Sequence, residues 1–114
     1  MSERVSTLVH EGKSILFIDL SGLRGEAMMP VLEEAKRRMQ ALGDEPLRVL
    51  TDVRDAYFTK ETKDFSRSLV RSDRNGRSAL VGITGVQRII ASAIFRDNYY
   101  AKDLEDAKRW LVET

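Results

Sequence analysis

Residues 15–18, Ile15-Leu16-Phe17-Ile18, set four apolar side chains at consecutive positions. Successive side chains of a strand point to opposite faces, so such a run needs cover on both sides of its sheet. That demand selects a layered α/β arrangement, and the next stretch offers a first layer. Ser21-Gly22 stops the strand. Over residues 24–42, Met28, Val31, Leu32, Ala35, Met39 and Leu42 then recur with a period near 3.6. Glu33 with Arg37 and Glu34 with Arg38 make i,i+4 pairs in the favourable order. Pro30 is tolerated only in a first turn, so helix proper is expected from near Met29, and Gly43 supplies the stop. Upstream, Val5-Ser6-Thr7-Leu8-Val9 alternates loosely and reaches His10-Glu11-Gly12-Lys13, a hairpin turn into residues 15–20.

The same alternation continues along the chain. Leu47-Arg48-Val49-Leu50-Thr51-Asp52-Val53 reads as a buried strand. A helix over 60–72 follows, with Thr59 as N-cap and Thr62, Phe65 and Leu69 inward. Asp73-Arg74-Asn75-Gly76 marks a turn, and residues 78–83 a further strand. Thr84-Gly85 opens a third helix with Val86, Ile89, Ile90, Ala93 and Ile94 on one stripe. Residues 98–101 form a short last strand, and Asp103 caps a last helix with Leu104, Ala107 and Leu111 inward. The order β-β-α-β-α-β-α-β-α implies one domain over residues 1–114. Its expected form is a single mixed, mostly parallel sheet of four to five strands flanked by four helices. Ligand-binding loops belong at the carboxyl ends of the strands in such folds.

Composition narrows the functional classes. Of 114 residues, 42% are hydrophobic and 32% charged, the balance of a globular chain. A net charge of +1 gives no reason to expect nucleic acid as a partner. The absence of cysteine removes disulfides, thiolate nucleophiles and Cys-based zinc sites. Met1-Ser2-Glu3-Arg4 does not begin a signal peptide, and the apolar stretches at 15–18 and 86–95 are too short to span a bilayer. A cytoplasmic protein without stable membrane insertion is the expectation.

Three runs carry a family resemblance: Val49-Leu50-Thr51-Asp52-Val53, Leu80-Val81-Gly82-Ile83-Thr84-Gly85-Val86-Gln87-Arg88-Ile89-Ile90, and Ala101-Lys102-Asp103-Leu104-Glu105-Asp106-Ala107-Lys108-Arg109-Trp110-Leu111. Together they resemble the SpoIIAA-like proteins, which are related to STAS domains and to the CRAL-TRIO lipid-binding fold. The resemblance implies a SpoIIAA/STAS-like sheet flanked by helices and no enzymatic activity. It also implies a regulated hydroxyl at the helix start after the third strand, where Thr59 stands as candidate phosphoacceptor. The chain departs from the anti-anti-sigma pattern there, since Asp55-Ala56-Tyr57-Phe58-Thr59-Lys60 holds neither an Asp-Ser pair nor a following glycine.

Asp19 and Asp52, with Asp55 close behind, can gather at adjacent strand ends. Such carboxylates either hold a hard cation or accept N–H bonds from their own loops, and the second reading is preferred. His10 is the single histidine and falls beside a turn, where it assembles neither a multi-His metal site nor a triad. Thr84, Gly85 and Arg88 make a candidate ligand or anion site at a helix start, though without a P-loop lysine, and Thr84 as a plain N-cap with Gly85 for close packing is the preferred reading. Lys60, Lys63, Arg67, Arg71 and Arg74 are diluted by Glu61, Asp64 and Asp73, and read as a solvated face. Tyr57, Phe58, Phe95 and Tyr99 are a candidate apolar pocket for a lipid-like ligand, set against ordinary aromatic packing, which is preferred. No catalytic residue, metal or cofactor is expected. The leading reading is a non-catalytic binding or regulatory module with a protein partner. The alternative is a carrier or sensor of a small apolar molecule with transient membrane contact. Self-association as a homodimer is a further expectation, drawn from the edge hairpin.

Overall fold

Strands β1 (Val5–His10) and β2 (Lys13–Asp19) pair antiparallel, with His10 opposite Lys13. The two residues between them, Glu11 (φ 51°) and Gly12 (φ 77°), are both left-handed, as a tight hairpin turn that matches strand twist requires. The computed structural model describes residues 4–42, 47–70 (without the side chains of 67–70), 77–83 and 99–113. Beyond the hairpin, β3 (Arg48–Asp52), β4 (Arg77–Val81) and β5 (Tyr99–Ala101) add in parallel. The result is one five-stranded mixed sheet in the order β1-β2-β3-β4-β5.

The apolar run of β2 meets its demand for two-sided cover. Leu16 and Ile18 join Val49 and Leu80 on one face, under a short 3-10 turn (Gly25–Met28) and α1 (Met29–Ala41). Ile15 joins Leu50, Ala79 and Val81 on the other, under Ala107, Leu111 and Val112 of α3 (Leu104–Val112). Helix α2 (Lys60–Val70) packs beside α1, with Phe65 against the first cluster and Thr62 buried. Asp103 caps α3 by accepting from the Asp106 amide at 2.7 Å.

Some expectations shift. Leu42, expected on the apolar stripe, is the C-cap of α1 and is 43% exposed. Arg37 pairs with Glu34 (2.6 Å), which Arg38 also engages (3.1 Å), in place of the i,i+4 pairing with Glu33. Glu34 is the buried carboxylate of that face, so two guanidiniums converge on it. Three α-helices occur among the described residues. The expected helix at 86–95 lies outside them, as does the side chain of Leu69.

Candidate functional site

At the carboxyl end of the sheet, Asp19 and Asp52 are register partners on β2 and β3. Each carboxylate is occupied by its own loop. Asp19 Oδ1 accepts from the Ser21 amide (3.0 Å) and hydroxyl and lies 3.5 Å from Arg4 Nη1, which donates to the Ser21 carbonyl at 2.9 Å. Asp52, only 2% exposed, accepts from the Arg54 amide (3.1 Å), from Nε (3.0 Å) and from Nη2 (2.6 Å). These hydrogen bonds raise the pKa of the Arg54 guanidinium above its ordinary value, so it stays charged. Among the described residues no group of three His, Asp or Glu is placed to hold a metal ion. Gly82 closes this end against Arg54. Its φ is +101°, and a Cβ there would stand 2.7 Å from the Arg54 amide nitrogen and 2.8 Å from Arg54 Cα.

Above these carboxylates the two loops after β2 and β3 run side by side like a continuation of the sheet. Leu20 donates to the Asp52 carbonyl and Gly22 to that of Arg54, both at 2.9 Å. Tyr57 then donates to Leu23 (3.0 Å), and Gly25 to Tyr57 (2.9 Å). This ladder brings Arg24 to Tyr57, with the guanidinium 4.6 Å from the ring centroid. Both side chains are exposed, Tyr57 at 52%.

Thr59 stands at the edge of this pair. Its amide donates to Thr62 Oγ1 (2.7 Å), its own Oγ1 accepts from the Thr62 amide (3.3 Å), and its carbonyl accepts from the Lys63 amide (2.9 Å). That is a reciprocal helix cap in which Thr62 takes the place usually held by glutamate. Thr59 is nonetheless exposed, and its methyl group sits 3.0 Å from where a Cβ on Gly25 would be.

The other predicted residues separate. Phe58 packs on the α1 face of the sheet. Tyr99 packs on the α3 face, stacked on Trp110 at 4.8 Å and donating to Asp106 at 2.9 Å. Phe58 and Tyr99 therefore line opposite sides of the sheet. Phe95, Thr84, Gly85 and Arg88 lie outside the described residues. His10 is half-buried, 4.0 Å from Glu11. Sequence reasoning missed Arg24 and Arg54, and with them the contact of Gly82 against Arg54. The spacing Asp52-x-Arg54 was a readable signal for one of them. Arg24 had none, because its partner arrives from a different loop.

No family model matches the chain, and no curated protein does. Among solved structures it is similar to an uncharacterised protein of the DUF3478 family from Shewanella loihica PV-4, described as having a SpoIIAA-like fold. The TM-score is 0.70 at 14% identity, over 94% of this chain and 91% of that one. The fold is SpoIIAA-like.

Proposed function

We propose that this chain is a non-catalytic binding or regulatory module that works in the cytoplasm. On this reading it engages a protein partner through the surface formed by Arg24, Tyr57 and Thr59. The observation that carries it is the exposed Arg24–Tyr57 stack, held by a loop ladder at whose base the buried Asp52 carboxylate holds Arg54. Tyrosine and arginine on a rigid base are the side chains best suited to anchor a protein interface. The SpoIIAA-like fold is compatible with this use, although fold alone assigns no activity.

Thr59 is the position at which phosphorylation would control that surface. A phosphate adds nearly two negative charges at the start of α2, where a helix N-terminus tolerates them and Lys60 and Lys63 are at hand. Thr59→Asn keeps the cap and is expected to keep binding, whereas Thr59→Glu is expected to abolish it without unfolding the domain.

The test is quantitative affinity enrichment from the source cells with wild type, an Arg24→Glu/Tyr57→Ser variant, and Glu105→Gln at an exposed position of α3 as control. A partner retained by wild type and control and lost from the double variant supports the reading. Equal recovery by all three overturns it. A lipid-like molecule retained in native mass spectrometry would favour the carrier instead.

A further inference from the structure

We propose that two copies of this chain join through the free edge of β1, antiparallel and centred on Thr7, to make one sheet that continues across a two-fold axis. This inference is independent of the Arg24–Tyr57 surface, which is built on the loops after β2 and β3 and not on the outer edge of β1.

The hydrogen-bond pattern identifies the groups that are available. Asp19 donates to the Arg4 carbonyl at 2.8 Å, so Arg4 faces β2. In an antiparallel pair the facing residues alternate, which turns Ser6, Leu8 and His10 toward β2 as well. The N–H and C=O groups of Val5, Thr7 and Val9 therefore point out of the sheet. They have no backbone partner among the described residues.

Edges of this kind are normally protected by a lysine, a proline, a bulge or short length. The sequence Val-Ser-Thr-Leu-Val-His of β1 has no Lys, Asp, Glu or Pro, runs for six residues and pairs with β2 without a bulge. Val9 on this edge is 72% exposed. The opposite edge, β5, has only three residues and is followed directly by Lys102.

A second copy is the occupant that fits. Outward residues must face outward residues, and the antiparallel register of greatest overlap sets Thr7 opposite the partner's Thr7 and Val9 opposite the partner's Val5. Each such pair exchanges both backbone hydrogen bonds. Val9 gains a β-branched neighbour across the join, the kind of cross-strand pair that stabilises sheets. Residues 5–9 carry no charged side chain, so the pairs 5/9, 6/8 and 7/7 set no charges opposite one another.

The chain has no cysteine, so one introduced thiol reports the register without interference. Across the dyad the two Thr7 Cα atoms would be about 5.5 Å apart, within disulfide range. The two Val9 positions would be four residues out of step, about 13 Å along the strands. Under mild oxidation Thr7→Cys is expected to convert almost entirely to a cross-linked dimer, while Val9→Cys stays single-chain. Light scattering of the wild type is expected to give twice the 13.0 kDa of one chain, and Val9→Lys should return it to one chain with unchanged circular dichroism. Equal cross-linking of the two cysteine variants, or a wild type that is monomeric throughout a concentration series, overturns the proposal.

Discussion

Two glycines with left-handed backbones make opposite statements about what a side chain would cost. At Gly82 a methyl group would collide with the backbone of Arg54, and the Asp52 carboxylate holds that backbone in place. Backbone cannot turn aside as a side-chain tip can. At Gly12 a Cβ would meet nothing within 4 Å. Only the intrinsic cost of a left-handed alanine, about 1 kcal/mol, applies there. Gly82→Ala is expected to add a steric cost of about 1–3 kcal/mol to the same backbone term. Urea denaturation of the two variants checks this: Gly82→Ala should have the much lower midpoint. Similar midpoints would mean that the contact with Arg54 yields easily and that the base of the loop ladder is not rigid.

Helix α3 shows how an element is fixed by both its caps and its cover. Asp103 holds its first turn, while Asp106 accepts from the Lys102 amide at 3.1 Å and from the Tyr99 hydroxyl. At the far end Lys13 donates to the Val112 carbonyl at 2.9 Å, and Arg77 to that of Trp110 at 2.6 Å. The Lys102 amide, then the Tyr99 hydroxyl, hold the Asp106 carboxyl below its ordinary pKa of 3.8, and Arg37 and Arg38 hold Glu34 below its ordinary 4.5. A carboxylate depressed in this way stabilises the fold above its unfolded pKa and loses that contribution as pH falls through the folded one. Tyr99, bonded to Asp106, is raised above 10.0 and acts in the other direction, its contribution present below that value and lost as pH rises. Thermal stability should therefore be level at neutral pH and fall on acidification below about pH 4.5. Asp106→Asn should fall less steeply across that acid range, in melts followed by circular dichroism. An unchanged acid slope would remove Asp106 from the account.

Across the whole molecule, legibility followed the range of the interaction. The demand of residues 15–18 for two covers was readable because alternation is local, and Leu16 and Ile15 do part to separate clusters. The cap at Asp103 and the turn at Glu11-Gly12 were readable for the same reason. Of the candidate site, Tyr57 and Thr59 were singled out as separate features, but their grouping with Arg24 was not. Arg24 meets Tyr57 only because two loops far apart in sequence are laced together, and Phe58, in the loop before α2, joins the α1 face while Tyr99 of β5 joins the α3 face. Leu42 stands at the expected end of α1 but is exposed, since periodicity does not say how far along a helix its cover extends.

The two clusters share one wall, the sheet, and this has a consequence for unfolding. Leu50 is fully buried under α3, and Leu80 is 2% exposed on the α1 face, on neighbouring strands. Replacing either with alanine is expected to cost about 2–5 kcal/mol through lost burial and the cavity left behind. Trp110, the single tryptophan, stacks between Tyr99 and the Arg77 guanidinium and so reports on the α3 face alone. Circular dichroism reports on both faces. If the sheet transmits damage from one face to the other, Trp110 fluorescence and circular dichroism should give coincident urea transitions in the wild type and in both variants. Leu80→Ala is the decisive case, because its cavity opens on the face that Trp110 does not touch. A fluorescence midpoint that stays at the wild-type value in Leu80→Ala, while circular dichroism shifts, would show that α3 and its strands form a unit that holds without the α1 layer.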